Sequence, residues 1–273
     1  MSELLHQDPW LPLQRFTQAR IALGRAGNSL PTAALLAFNL SHAQARDAVH
    51  HPLDAQPLHA QLRANGFTSI DVHSAAPDRM HYLQRPDLGR RLSDDSRAAL
   101  AQIEMEPPDI VFVIADGLSA FAASRQAIPL LLAIRPKLVD WRLAPIVVAR
   151  QARVALGDEI GAMLRAKFVA MLIGERPGLS SPDSLGIYVT YEPRVGRTDA
   201  ERNCISNVRP EGLDHEAAAH KLHYLLTQGR RLRLTGVGLK DNSGSGVLPE
   251  SELSQPVMPA PAACSTPESR QDC

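Results

Sequence analysis

The distribution of apolar residues divides the chain into a helical beginning, a middle in which strands and helices alternate, and a polar end. Continuously apolar runs are typical of strands that are covered on both faces. Such runs predict strong strands at Asp109–Ala115, Ala144–Ala149 and Phe168–Ile173. Weaker patterns predict two further strands, at Thr68–Ser74 and Ile187–Tyr191.

Segments with apolar residues at helical spacing follow these strands. They predict helices at Asp94–Glu104, Ser119–Ile134, Leu156–Ala166 and Asp214–Thr227. Strands and helices in alternation require right-handed crossovers, so the pattern predicts an α/β fold with a doubly wound, mainly parallel, Rossmann-like sheet. Ligands of such sheets bind beyond the carboxyl ends of the strands.

The two ends of the chain differ from this middle in composition. Residues 1–60 are predicted as an N-terminal helical region, with one short helix at Gln14–Leu23 and a second helix that opens at Pro31. Residues 61–240 form the predicted α/β domain. Residues 241–273 are acidic, rich in Pro and Ser, and contain no Phe, Tyr or Trp, which predicts a disordered tail.

Charge and composition exclude several classes of partner. Lys plus Arg and Asp plus Glu each number 29, so the net charge is zero and no nucleic-acid or anionic-membrane partner is expected. Aromatic residues make up 4% of the chain, which is too few for the stacking platforms of proteins that bind single-stranded nucleic acid. No apolar run approaches the roughly 20 residues that span a bilayer. The chain has three cysteines, Cys204, Cys264 and Cys273, and no CxxC pair, which favours a reducing compartment. The two cysteines of the tail are expected to have an incidental role.

Short nucleotide-binding motifs are absent from the sequence. The turn Asp116–Ser119, after the first strong strand, lacks the GxGxxG pattern, and no GxxxxGK[ST] motif occurs. Dinucleotide and P-loop binding are therefore disfavoured. Asp116 is as well suited to cap the following helix as to contact a ligand.

Metal-binding motifs are incomplete. His215 and His220 form HExxxH, a spacing that places them about 140° apart on a helix, whereas the zinc motif requires four residues. The segment from Asp71 to His73 lacks the final glycine of the DxHxxG pattern found in some corrinoid proteins, and we interpret His73 as a strand residue. No metal site and no complete catalytic set is predicted in this chain.

Three predicted loops at strand ends carry features of ligand binding. The loop Gly174–Ser181 combines two glycines with the Glu175 carboxylate at the end of a strong strand. The loop Gln151–Val154 follows another strand in the same position, and the loop Arg202–Asn207 contributes small polar groups and the Cys204 thiol. The loop Gly174–Ser181 alone fits an ordinary surface turn equally well. Their convergence on one edge of the sheet favours a broad ligand.

Five longer blocks resemble the small (light) subunit of ethanolamine ammonia-lyase, and they occur in the order of that family. They are RPDLGRRL (Arg85–Leu92), ADGLSA (Ala115–Ala120), ARVALGDEIGAMLRAK (Ala152–Lys167), IGERPGLSSPDSLG (Ile173–Gly186) and NCISNVRPEG (Asn203–Gly212). The resemblance covers residues 14–228. It departs at a reduced N-terminal region and at the tail.

This resemblance implies an α/β subunit that packs on a TIM-barrel large subunit, with adenosylcobalamin held at the interface between them. The cobalamin contacts of the family fall on Val154, Glu175 and Cys204, which lie in the three loops described above. The cofactor keeps its own dimethylbenzimidazole as the lower ligand, which assigns no cobalt role to His73. This chain is expected to bind and orient the cofactor and to contain no catalytic residue.

The reaction implied by the resemblance is the conversion of ethanolamine to acetaldehyde and ammonia. Homolysis of the Co–C bond yields an adenosyl radical that abstracts hydrogen from ethanolamine, which is bound mainly by the large subunit. The expected location of this hetero-oligomer is a bacterial microcompartment, or the cytoplasm where no such compartment is made. The alternative hypothesis is a non-catalytic assembly or scaffold protein with the same α/β core.

Overall fold

The computed structural model of the chain describes residues 5–244, so the predictions for most of the tail, including Cys264 and Cys273, lie outside the described residues. The strands are β1 (Leu5–His6), β2 (Arg25–Ala26), β3 (Ser69–His73), β4 (Ile110–Ala115), β5 (Ile146–Arg150), β6 (Phe168–Gly174), β7 (Leu185–Tyr191) and β8 (Arg202–Val208). The α-helices are α1 (Thr32–His50), α2 (Ala55–Ala64), α3 (Arg79–Gln84), α4 (Asp94–Ala101), α5 (Ala120–Ile134), α6 (Leu156–Met163) and α7 (His215–Leu232).

Strands β3 to β8 form one six-stranded sheet in the order β3-β5-β4-β6-β7-β8. The first four strands in this order are parallel, whereas β7 runs antiparallel to β6 and β8 antiparallel to β7. A parallel crossover needs a dozen or more residues, and residues 175–184 between β6 and β7 are too few. The α/β class is confirmed, but the sheet is mixed, and the Rossmann-like arrangement is not confirmed.

The two faces of the sheet are covered unequally. One face packs against α2, α5 and α7 through residues such as Phe112 and Phe168. The other face packs against α4 and α6 through residues such as Val111 and Met171. Of the described residues of β7 and β8, only the partly buried Tyr188 packs on this second cluster. Among the described residues, the apolar packing of β7 and β8 on the α4–α6 side is therefore limited to Tyr188.

The N-terminal prediction is partly wrong. The second predicted helix is confirmed as α1, but Gln14–Leu23 is not a helix. A short 3₁₀ helix at Leu11–Phe16 is followed by irregular chain, in which Ala22 has a left-handed φ of 51°. The Gln14 side-chain amide donates to the carbonyl oxygen of Ile21 at 2.8 Å, so this side chain closes a loop where the pattern predicted a helical face.

The segment Arg202–Asn207, predicted as a loop, is strand β8 instead. Its pairing with β7 contains a register shift, because Leu185 pairs with Val208 while Ile187 pairs with Ile205. This irregularity brings two buried residues, Ile205 and Val208, to a spacing of three. The period-two pattern that reveals a strand is therefore interrupted.

The N-terminus of α5 is capped by Ser119, and not by Asp116 as the sequence had allowed. The Ser119 hydroxyl oxygen accepts from the backbone N–H of Ala122 at 3.3 Å and donates to the carbonyl oxygen of Pro182 at 2.7 Å. Ser119 thus joins the start of α5 to the loop before β7. None of the helices within residues 5–244 has the length and apolar character that a bilayer crossing requires.

We expect Ser119→Ala to lower the free energy of unfolding by about 1–2 kcal/mol, because both the helix cap and the bond to the loop are lost. The control is Ser124→Ala in the same helix; among the described residues, the Ser124 hydroxyl donates to the carbonyl of Ala120 alone. It should change stability by less than about 0.5 kcal/mol. Urea unfolding of the full chain measures both values, and equal losses would show that Ser119 has no special role.

Candidate functional site

A buried carboxylate connects the ends of β4 and β5. Asp116 follows β4 and is 0% exposed. It accepts from the backbone N–H groups of Gln151 at 2.9 Å and Ala152 at 3.0 Å, and from Arg79 Nη1 at 3.2 Å. Burial raises the pKa of Asp116, while the guanidinium and the two amides oppose this effect. Asp116 thereby holds the loop that carries Val154.

Two glycines bring the ends of β4 and β6 into direct backbone contact. Gly117 has a φ of +52°, and a Cβ atom there would lie 2.3 Å from the carbonyl oxygen of Gly174. The backbone N–H of Leu118 donates to that same oxygen at 2.9 Å. Close packing of the main chain therefore fixes the backbone position from which the Glu175 side chain extends.

Glu175 lies at the carboxyl end of β6 and is half-buried. The Ser184 hydroxyl donates to its Oε2 at 2.5 Å, and the backbone N–H of Asn207 lies 3.3 Å from Oε2 and 3.4 Å from Oε1. A Cβ atom on Gly186 would lie 3.0 Å from Glu175 Oε1. The carboxylate is thus held beside the β7 backbone by two neighbouring segments, and it retains acceptor capacity for a ligand.

Cys204 and Tyr188 are directly paired residues of β8 and β7. Side chains of such a pair lie on the same face of the sheet. Cys204 is exposed, and its Sγ lies 3.3 Å from Ser206 Oγ. Burial first, and then the nearby Cys204 and Glu175 side chains, raise the pKa of the Tyr188 hydroxyl above its ordinary value.

Val154 lies between β5 and α6, where it packs partly buried on the second core cluster. Together with Tyr188 it lines an open cleft of about 810 Å³. Tyr188 thus shares this cleft with Val154, pairs with Cys204 on the neighbouring strand, and lies within electrostatic reach of the Glu175 carboxylate. Sequence reasoning missed this tyrosine. A polar hydroxyl between the apolar residues Ile187 and Val189 was nevertheless a signal that this face of the strand is not fully covered.

A buried ion pair connects the two sides of this site. Asp158 of α6 and Arg202 of β8 are 1% and 2% exposed, respectively. The guanidinium donates from Nη1 to Asp158 Oδ1 at 2.5 Å and from Nη2 to Oδ2 at 2.6 Å. The helix that follows Val154 is thus attached directly to the strand that carries Cys204.

Two of the histidines considered above, His215 and His73, have other partners. His215 Nε2 lies 2.9 Å from the side-chain oxygen of Gln126, and burial lowers the pKa of His215. His73 Nδ1 lies 2.6 Å from the carbonyl oxygen of Ser74. Within the part of the chain that the structure describes, no three His, Cys, Asp or Glu side chains are grouped as a metal site would require.

Comparison with known proteins gives a consistent result. The family model described as "Ethanolamine ammonia-lyase light chain (EutC)" matches residues 7–240. An ethanolamine ammonia-lyase small subunit of Pseudomonas fluorescens (strain Pf0-1) is 57% identical over 242 residues, which cover 87% of this chain and 88% of the relative. The small subunit of Ralstonia nicotianae is 57% identical over 240 residues, 86% of this chain and 89% of the relative. That of Xanthomonas campestris pv. campestris (strain ATCC 33913) is 54% identical over 254 residues, 91% and 93% of the two chains.

Proposed function

The chain belongs to the ethanolamine ammonia-lyase light-chain family, and on that premise we propose that it holds adenosylcobalamin against the large subunit of this lyase. Family membership makes the chain a subunit of an ammonia-lyase. The proposal adds that the assembled enzyme converts ethanolamine to acetaldehyde and ammonia, and that the large subunit binds ethanolamine. It also places the assembly in a bacterial microcompartment, or in the cytoplasm of cells that make none.

The observation that supports this proposal is the position of Tyr188, which pairs with Cys204, lies within electrostatic reach of the Glu175 carboxylate and lines the same open cleft as Val154. A corrinoid is a broad ring with apolar surface and amide side chains. An open face of a sheet can accept such a ring, whereas a narrow pocket cannot. The small residue at Gly186 supports the fit, because a side chain there would crowd the Glu175 carboxylate.

In the proposed complex the residues of this chain bind and orient the cofactor. Val154 would pack on the apolar surface of the ring, and the Glu175 carboxylate would accept a hydrogen bond from an amide or ribose donor. Cys204 would provide a small contact or a weak donor. When bound, the cofactor supplies the radical chemistry of the reaction. The bonds from Ser184 and Asn207 hold the Glu175 acceptor in place before the cofactor arrives, which lowers the cost of binding.

We expect Glu175→Ala to weaken cobalamin binding to the two-subunit complex by about tenfold, because one hydrogen bond to the cofactor is lost. The KM for ethanolamine should change by less than about twofold, because removing a cofactor contact leaves the substrate contacts intact. The matched control is Glu216→Ala on α7, an exposed carboxylate of a helix that packs on the other face of the sheet. Titration followed by visible absorption measures the affinity. An unchanged cofactor titration would remove Glu175 from the proposed site.

A further inference from the structure

The cleft beside Val154 is rich in arginine, and its arginines fall into two groups. Three of the six are already paired with carboxylates: Arg97 with Glu159, Arg197 with Glu201, and Arg202 with Asp158. The other three, Arg90, Arg91 and Arg153, make no ion pair with any residue in the range 5–244. The two carboxylates that line the cleft are already bound, Glu159 to Arg97 and Asp199 to Arg202. No carboxylate of the described residues lies within ion-pair distance of these three guanidinium groups, although the charges of Arg91 and Asp87 interact at longer range.

Arg153 is the most firmly held of these three arginines. Its guanidinium carbon lies 4.4 Å from the ring centroid of the buried Tyr82. Its backbone N–H donates to the carbonyl of Gly89 at 2.8 Å. A Cβ atom on Gly89 would lie 3.0 Å from Arg153 Cγ and 2.9 Å from the Tyr82 ring, so only glycine leaves room for this stack. The guanidinium is therefore preorganised, and little side-chain entropy remains to be lost on binding.

The donors of Arg153 are incompletely used. Its Nε–H is buried and has no hydrogen-bond acceptor within the described residues. Within residues 5–244, the one acceptor of its Nη2 is the carbonyl oxygen of Tyr82, at a long 3.5 Å. Arg90 and Arg91 lie directly after Gly89 and are exposed along the same cleft. Such a set of planar, always charged donors is suited to the oxygens of a phosphate group.

We propose that Arg153, assisted by Arg90 and Arg91, forms a subsite for a phosphate group at the edge of the cobalamin-binding face. Resting on the proposed function, the inference assigns this subsite to the phosphodiester in the nucleotide tail of the cofactor. Arg153 and Val154 line the same cleft, so a ligand that fills this cleft can contact both side chains. Free inorganic phosphate has the same chemistry, and the experiment must separate these two sources.

The first measurement is the affinity of the two-subunit complex for cobalamin at constant ionic strength. Arg153→Met should weaken binding by about tenfold to a hundredfold, since a charge-assisted hydrogen bond is lost. The exposed double substitution Arg90→Gln, Arg91→Gln leaves the Tyr82 stack intact and should weaken binding by a smaller factor of about three. The matched control is Arg63→Met on α2, an exposed arginine of a helix on the other face of the sheet, which should leave the affinity unchanged.

The second measurement is the ³¹P NMR line width of inorganic phosphate added to the full chain and to its Arg153→Met variant. The nucleotide-tail assignment is supported if both Arg153→Met and the Arg90→Gln, Arg91→Gln double variant bind cobalamin more weakly, and if phosphate competes with cobalamin for the wild type only. Phosphate binding that depends on Arg153, with unchanged cobalamin affinity, supports the anion site and overturns the tail assignment. If neither ligand responds to the substitutions, the inference is wrong. If the wild-type complex binds no cobalamin, the proposed function fails, and the phosphate measurement alone decides on the anion site.

Discussion

Replacing Asp116 by asparagine is expected to lower the free energy of unfolding by about 3–5 kcal/mol, because the change leaves a buried guanidinium without its counter-charge. The asparagine side chain would retain one acceptor oxygen, but its NH₂ group would face either the backbone N–H of Ala152 or the donors of Gln151 and Arg79. Arg79 cannot easily compensate, since its Nη2 is already buried without a partner among the described residues. The same substitution should loosen the loop that carries Val154.

The control for Asp116 is Asp71→Asn. Asp71 also pairs with an arginine, Arg150, at 2.7 Å, but it is 40% exposed. An ion pair in that environment contributes less than about 1 kcal/mol. Urea unfolding of the full chain at neutral pH measures both variants. Similar losses for Asp116→Asn and Asp71→Asn would mean that the buried connection between β4 and β5 is not a principal support of the site.

Replacing Asp158 by alanine is expected to lower the free energy of unfolding by about 3–5 kcal/mol, because Arg202 remains buried and charged. Arg202 would retain the Thr190 hydroxyl at 2.9 Å and the carbonyl of Arg197 at 2.9 Å, but neither neutralises its charge. Its other carboxylate neighbour, Asp199, is 96% exposed and lies 3.4 Å away. The loss should therefore separate α6 from β8 and disturb the cleft.

Two further variants decide the origin of that loss. Asp199→Asn removes the exposed partner of the same guanidinium and should cost less than about 0.5 kcal/mol. The double substitution Asp158→Leu, Arg202→Met removes both buried charges and should recover most of the stability lost by Asp158→Ala. Unfolding of all four proteins in urea gives the comparison. A double variant as unstable as Asp158→Ala would contradict the explanation that the loss comes from the unpaired buried charge of Arg202.

The strongest strands could be predicted because burial on both faces leaves a plain signal. All six residues of β4 are buried, and they alternate between two clusters on opposite faces of the sheet. The direction of β7 and β8 could not be obtained in this way, because apolar periodicity does not encode the sense of pairing. β8 was missed altogether, since its register shift separates the buried Ile205 and Val208 by three residues. No separate helix was predicted at α2 or α3, since α2 has only two large apolar residues, Leu58 and Leu62, and α3 is short.

The candidate site was predictable where it lies at the ends of parallel strands. Val154 and Glu175 follow β5 and β6, and their place at a common edge follows from the parallel pairing. Cys204 was assigned to a loop but lies within β8, and only the antiparallel register brings it beside Tyr188. The contributions of Tyr188, Gly186 and Arg153 depend on contacts between segments distant in sequence. No spacing in the sequence signals such contacts.

The central claim is that this chain and the large subunit hold adenosylcobalamin jointly. The most direct measurement is the visible absorption spectrum of the two-subunit complex after incubation with adenosylcobalamin and gel filtration, with each subunit alone as a control. We expect corrinoid bands to elute with the complex and to be much weaker with either subunit alone. A complex that elutes without corrinoid absorption would contradict the claim and would favour the alternative of a non-catalytic assembly protein.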